Sequence, residues 1–280
     1  MKLILQGLEV QPEIAKKIAD LVAAQSITKL SAKVWRCDGV STSATVLSEV
    51  ATLCLQSGLD YSFMQEDKKL SDFKLLVMDM DSTLITIECI DEIADMHGLK
   101  DEVAAITESA MRGELDFRES LTQRVALLKG LEATALQQVF DERLLLSLGA
   151  KELLTGAQAA GLRTVLVSGG FTFFTDRLRQ QLTFDIARAN ELEIKDDKLT
   201  GRVIGPIIDA SEKRHTVEMQ AQALGVPTTA AIVMGDGAND LEMMSVAGLS
   251  VAFRAKPIVR AQADVALNFV GLDGVLHMFD

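Results

Sequence analysis

The run Lys74-Leu75-Leu76-Val77-Met78-Asp79 decides how the rest of this chain is read. Its apolar residues are continuous and end abruptly at a carboxylate. A strand with one face in water alternates apolar and polar residues, whereas a short unbroken run belongs to a strand buried on both faces. Similar runs recur as RTVLVS at 163–168 and AIVMGD at 231–236, each passing at once into polar or glycine-rich sequence. Strands of this type alternating with helices imply an α/β fold built on a doubly wound parallel sheet. In such sheets ligands bind outside the carboxyl ends of the strands, so the polar residues at those ends are the candidates for function.

Working outward, the segment from Cys89 to Leu148 is helical in pattern and has no strand to match, which predicts a helical cap inserted at about 89–148. Residues 1–70 read as strand (Lys2 to Leu5), helix (Pro12 to Ala24), strand (Ser31 to Cys37), helix (Ser43 to Leu55) and strand (Tyr61 to Met64), a small αβ sandwich. The polar stretch Gln65 to Asp72 is a linker in this reading, so residues 71–280 form the second domain. Within it, ANELEI, KDDK and LTGRVI spell a β-hairpin ahead of a helix that begins near Ser211.

Composition narrows the partners. The chain has 280 residues, 48% hydrophobic and 24% charged, which suits an ordered globular protein. A formal net charge of -12 argues against nucleic acid, whose phosphates need clustered Lys and Arg. Any anionic substrate requires a local cationic pocket. Cys37, Cys54 and Cys89 are odd in number and irregular in spacing, so neither a disulfide framework nor a zinc site is indicated, and a cytoplasmic location is expected. The apolar run after Lys2 is interrupted by Glu9, too early for a signal peptide or a membrane span.

At the first strand's end, Asp79 and Asp81 fall on the same side of an extended chain. One carboxylate can bind a hard cation and attack phosphorus, while the other, protonated, can supply a proton to a leaving oxygen; a pair of solvated loop acids is the plainer alternative. Asp236, in the glycine-rich turn GDGAND, is the natural second ligand for magnesium beside Asp79. Asn239 or Asp240 could instead cap the following helix, with Asp240 behind the metal rather than on it. Ser168-Gly169-Gly170 before a helical stretch makes either an anion site or an ordinary turn. Lys213, in the first turn of a helix capped by Asp209 or Ser211, opposes the helix dipole and so suggests a nearby anion, or belongs to a solvated basic cluster. In the cap, Phe117, Leu121, Arg124 and Leu128 share a helical face, which sets a fork-shaped donor in an apolar stripe. Arg124 and Glu88 could equally be surface residues.

Taken together, DMDSTL, VSGG, a lysine and GDGAND in this order resemble the haloacid dehalogenase superfamily at all four of its motif positions. DMDSTLITIECIDEIAD and MRGELDFRESLTQRVALLKG look like the corresponding stretches of bacterial phosphoserine phosphatases, so the resemblance runs from Leu75 to about Lys256. It implies a Rossmann-type core, magnesium as cofactor and phosphoserine as substrate, hydrolysed through an aspartyl-phosphate. It further implies that Asp79 is nucleophile and metal ligand, that Asp81 is general acid and base and a main-chain ligand, and that Asp236 is the other carboxylate ligand. Asn239 and Asp240 would support the metal. Ser168, Gly169 and Lys213 would hold the phosphoryl group, and Glu88, Met111, Phe117 and Arg124 would select the amino acid. Residues 1–70 resemble the small regulatory, ACT-like modules of long bacterial forms, with a homodimer through them left open. Two rival functions are transfer of the phosphate to another alcohol and a catalytically idle amino-acid sensor.

Overall fold

The computed structural model describes residues 1–279, apart from the side chain of Met111. The first part runs β1 (Lys2–Gly7), α1 (Pro12–Leu21), β2 (Ser26–Lys29), β3 (Val34–Asp38), α2 (Ala44–Gln56) and β4 (Leu59–Met64). After β5 (Leu75–Met78) come four helices, α3 (Cys89–Met96), α4 (Lys100–Met111), α5 (Phe117–Leu127) and α6 (Thr134–Glu142). The chain then continues through α7 (Ala150–Ala159), β6 (Arg163–Phe171), α8 (Thr172–Leu182), β7 (Ile186–Lys195), β8 (Lys198–Ile204), α9 (Ala210–Leu224), β9 (Ala231–Gly235), β10 (Leu249–Phe253) and β11 (Val265–Leu267).

The central strands are buried on both faces, as their continuous apolar runs require. In β5, Leu76 and Met78 join one core with Leu166, Ile232 and Met234, while Leu75 and Val77 join another with Val165, Val167 and Val233. Helices α7 and α8 close the first core through Leu153, Leu154, Phe174 and Leu178, and α9 closes the second through Val217. The sheet is therefore doubly wound. Strands β11, β10, β9, β5, β6 and β7 lie side by side in that order and are parallel, with β8 antiparallel on the outside.

Helices α3 to α6 form an insert over the carboxyl ends of these strands. The chain enters and leaves it at adjacent points: Ile85 and Leu146 form a bridge, Thr86 N–H donates to the Leu145 carbonyl at 3.0 Å, and Ser147 N–H to that of Leu84 at 2.9 Å. At its far end Gly130 N–H donates to the Leu199 carbonyl and Leu199 N–H to that of Leu131, both at 2.8 Å, which ties the insert to the β7–β8 hairpin.

Residues 1–70 contain the expected elements and one more. Helix α1 stops at Leu21 rather than Ala24 because Ala23 turns to a left-handed φ of 48°. Strand β3 starts at Val34 rather than Ser31, since Leu30 and Ser31 both donate to the Val34 carbonyl and make the turn from the unforeseen strand β2. The antiparallel order is β2-β3-β1-β4, with α1 and α2 packed on one face through Leu3, Leu5, Ile18, Val50 and Cys54. This sheet continues into the core where Tyr61 of β4 pairs with Ala266 of β11. Beside that seam the buried Asp60 carboxylate accepts the backbone N–H groups of Asn268, Phe269 and Val270 at 2.8, 2.8 and 2.9 Å. Among the described residues, no helix is long and apolar enough to cross a membrane.

Candidate active site

Strands β9, β5 and β6 are neighbours, so the polar residues that end them meet in one place. Asp79 directly follows β5. Its Oδ1 accepts Met80 N–H at 2.7 Å and faces Lys213 Nζ at 2.9 Å, which leaves Oδ2 the freer oxygen. The chain then turns through Ser82, whose φ of 55° is left-handed. That turn brings Asp81 back against β6: Oδ1 accepts Cys89 N–H at 3.1 Å and Oδ2 lies 3.5 Å from Ser168 Oγ. A Cβ at Gly170 would sit 2.6 Å from Asp81 Oδ2, so the second glycine of the Ser-Gly-Gly turn makes room for this carboxyl. Burial, with the Glu88 charge adding to it, pushes Asp81 up to about 7.

Asp240 organises the third strand end. Its Oδ2 accepts the N–H groups of Asp236 and Gly237, each at 3.1 Å, and its Oδ1 accepts from Lys213 Nζ at 2.7 Å. A Cβ at Gly235 would overlap the Asp240 carboxylate, and Asn239 Oδ1 folds over Gly237. Neither side chain caps the helix that follows; Asp240 is engaged from three sides as a brace for the loop. Lys213 is 0% exposed and stands between Asp79 and Asp240. Burial opposes its charge, but the two carboxylates hold its pKa above the usual lysine range. It is placed there by α9, whose N-cap is Asp209, accepting Glu212 N–H at 3.0 Å.

Ligand oxygens of Asp79, Asp236 and Asp240 lie within 4.8 Å of one another. Against these three carboxylates stands the buried ammonium of Lys213, paired with Asp79 and Asp240 but not with Asp236. Burial first, then Asp240, raises the pKa of Asp79 well above the carboxylate range and that of Asp236 to about 7. A buried excess of negative charge of this kind fits a divalent cation, which would restore both groups to their ionised form.

The cap supplies the roof. Asp116 caps α5 by accepting Glu119 N–H at 2.8 Å, and Glu119 accepts Asp116 N–H at 2.9 Å in return. The start of α5 is thereby fixed over β6: a Cβ at Gly169 would lie only 2.8 Å from Cζ of Phe117. One helix face carries Phe117, the buried Leu121 and Leu128, and a half-buried Arg124 whose Nε is buried without a hydrogen-bond partner. Its charge is felt by Glu88, Asp91 and Asp81. Glu88 sits at the mouth, its Oε1 accepting from Ser82 Oγ at 2.7 Å. The expected residues thus converge, except that the side chain of Met111 lies outside the described residues.

Three contributors went unread in the sequence. Thr83, fully buried, points its hydroxyl at Asp236 Oδ1 from 3.3 Å. Ser82 orients Glu88 as above. Asn190, 1% exposed, donates Nδ2 to the Gly169 carbonyl at 2.7 Å and accepts Ile208 N–H on Oδ1 at 2.8 Å, so it staples the Ser168-Gly169 loop to the segment that leads into α9. Thr83 had a local signal, a polar residue two beyond Asp81 in the same motif; Asn190 had none.

Residues 76–245 match the haloacid dehalogenase-like hydrolase family, and the chain belongs to it. A phosphoserine phosphatase of Polaromonas sp. is 55% identical over 229 residues, which are 80% of this chain and 97% of the relative. The solved structure of a probable phosphoserine phosphatase from Vibrio cholerae, unliganded, superposes with a TM-score of 0.85 at 39% identity, covering 99% of this chain and 86% of that one. A phospho-aspartyl intermediate analogue of a phosphoserine phosphatase superposes with a TM-score of 0.70 at 38% identity, covering 76% of this chain and all of the other.

Proposed function

We infer that this enzyme is a phosphoserine phosphatase, a phosphoric monoester hydrolase that converts O-phosphoserine to serine and phosphate through an aspartyl-phosphate, the reaction that ends serine biosynthesis. The observation that carries the reading is the pairing of floor and roof: Asp79 held by Met80 N–H and Lys213, and in the cap an arginine with a buried, unpartnered Nε whose charge is felt by Asp91, Glu88 and Asp81.

In the proposed mechanism Asp79 Oδ2 attacks phosphorus while Lys213, Ser168 and the Gly169 N–H hold the phosphoryl oxygens. Asp81, its pKa raised to about 7, gives its proton to the departing serine oxygen and then takes one from the water that hydrolyses the phosphoenzyme. Arg124 faces the substrate carboxylate, Glu88 its ammonium group, and Phe117 covers the carbon chain. Magnesium would be held by the side chains of Asp79 and Asp236 and the main-chain carbonyl of Asp81, with Asp240 and Asn239 behind them. When bound it neutralises charge on the transferring phosphoryl group. Residues 1–70 supply none of these groups, and we assign them a modulatory, ACT-like role. The exposed outer edge of β2 offers them a means to form a homodimer. The three free cysteines suit the reducing cytoplasm.

The test is phosphate release from phosphoserine and a panel of other phosphomonoesters, with and without magnesium. Asp79→Asn should keep the circular dichroism of the parent and release no phosphate. Turnover by that variant, or full activity in excess chelator, would remove the covalent, metal-assisted mechanism. Analysis of products with added alcohols distinguishes transfer from hydrolysis.

A further inference from the structure

With the cap in place the proposed nucleophile and the groups beside it are shut away, Asp79 being 5% exposed and Ser168 and Lys213 0% exposed, while Asp81 is half-buried. A substrate reaches them only when the cap lifts, so something must set how readily it closes again. The start of α5 meets the core at two consecutive residues. One contact is apolar, Phe117 on Gly169. The other joins Arg118 to Asp209, residues 91 apart in sequence: Arg118 Nε donates to Asp209 Oδ2 at 2.7 Å and Nη2 reaches the same oxygen at 2.6 Å.

Asp209 divides its carboxylate between two partners. Oδ1 serves its own helix, accepting Ser211 Oγ at 2.7 Å and Glu212 N–H at 3.0 Å, and Oδ2 serves the cap. The helix it caps carries Lys213. We propose that Arg118 is the closing latch of the cap, a positioning residue that reaches the reacting centre only through Asp209 and α9. The proposal rests on the phosphatase reading for its kinetic readout but not for its geometry. Arg118 is 56% exposed, so removing its side chain opens no cavity. Burial would raise the pKa of Asp209, but its hydrogen bonds from Ser211, Glu212 N–H and Arg118 hold it down at about 2. The acid is therefore ionised, and the latch set, throughout the working pH range.

A latch that favours the closed state lowers the apparent dissociation constant of any ligand that needs that state. Arg118→Ala should therefore raise KM for phosphoserine about 2- to 5-fold, the range of an exposed ion pair, with kcat within about twofold of the parent because bound substrate still closes the cap. Arg118→Lys should recover part of the loss. Raising salt from about 0.05 to about 1 M screens the pair and should move the parent KM toward that of Arg118→Ala, which should itself shift less. In the full-length protein without substrate, amide hydrogen exchange in α5 should be faster in Arg118→Ala. An unchanged KM, or a KM difference that is the same at both salt concentrations, overturns the latch. If the parent fails to hydrolyse phosphoserine, the functional reading falls instead, and the exchange measurement still decides: identical α5 exchange in parent and variant refutes the latch.

Discussion

Asp81 lies close to Asp79 yet is held by different neighbours, and that difference separates their roles. Asp79 faces a buried lysine that opposes, without overcoming, the burial that raises its pKa, so its ionised form depends on the cation the site would hold, whereas Asp81 accepts a backbone N–H and lies near a serine hydroxyl beside a second acid, Glu88. Its pKa of about 7 puts both protonation states within reach near neutrality. Asp81→Asn should lower kcat on phosphoserine by about 10²- to 10⁴-fold, the usual worth of positioned proton transfer, because a serine alkoxide leaves poorly. Nitrophenolate needs no proton to leave. With a nitrophenyl phosphate that the pocket admits, rapid mixing should show a nitrophenolate burst near one equivalent per enzyme, slow turnover, and phosphate retained on acid-quenched protein. Parental turnover without a burst would assign the proton transfer elsewhere.

Loops hold most of these groups, but the elements aim the loops, and Asn190 shows how. It sits near the end of β7's parallel pairing with β6 and satisfies one backbone group on each of two otherwise separate segments. Asn190→Ala should leave a half-buried carbonyl and a buried N–H unpaired, costing roughly 1–3 kcal/mol in denaturant unfolding. It should also raise KM by loosening the turn proposed to hold phosphate. A stability loss with KM unchanged would mean that the Ser168-Gly169 turn is fixed without it. The elements themselves were largely legible in the sequence. KLLVMD, RTVLVS and AIVMGD are continuous apolar runs because two cores press on them, and burial on both faces leaves that mark in any sequence. SITK escaped notice because all four side chains of β2 are exposed, so neither alternation nor a run exists to be read. Asp79 and Asp236 were legible because they directly follow strands. Asn190 and the Arg118–Asp209 pair were not, since each depends on a partner made adjacent only by folding.

At the scale of the whole molecule, eleven strands among the described residues form one sheet, and its narrowest point is the pairing of Tyr61 with Ala266. So thin a seam needs reinforcement, which Asp60 provides by accepting three backbone N–H groups from the far side. Asp60→Ala should destabilise the protein by about 2–4 kcal/mol, since hydrogen bonds to charged groups are among the stronger ones. The melting temperature should fall by roughly 5–10 °C, with kcat of the folded enzyme unchanged. A fall in kcat at an unaltered melting temperature would instead link the seam to catalysis. The cap is joined in the opposite manner. Its two ends, at Ile85 and Leu146, lie side by side, so the chain resumes almost where it left off. An insertion that starts and finishes at one spot can be lengthened, shortened or exchanged in the course of descent without moving either neighbouring strand. The residues proposed to cleave the ester and most of those proposed to choose it are therefore free to evolve on separate schedules, and a lineage can acquire a new substrate while keeping its chemistry.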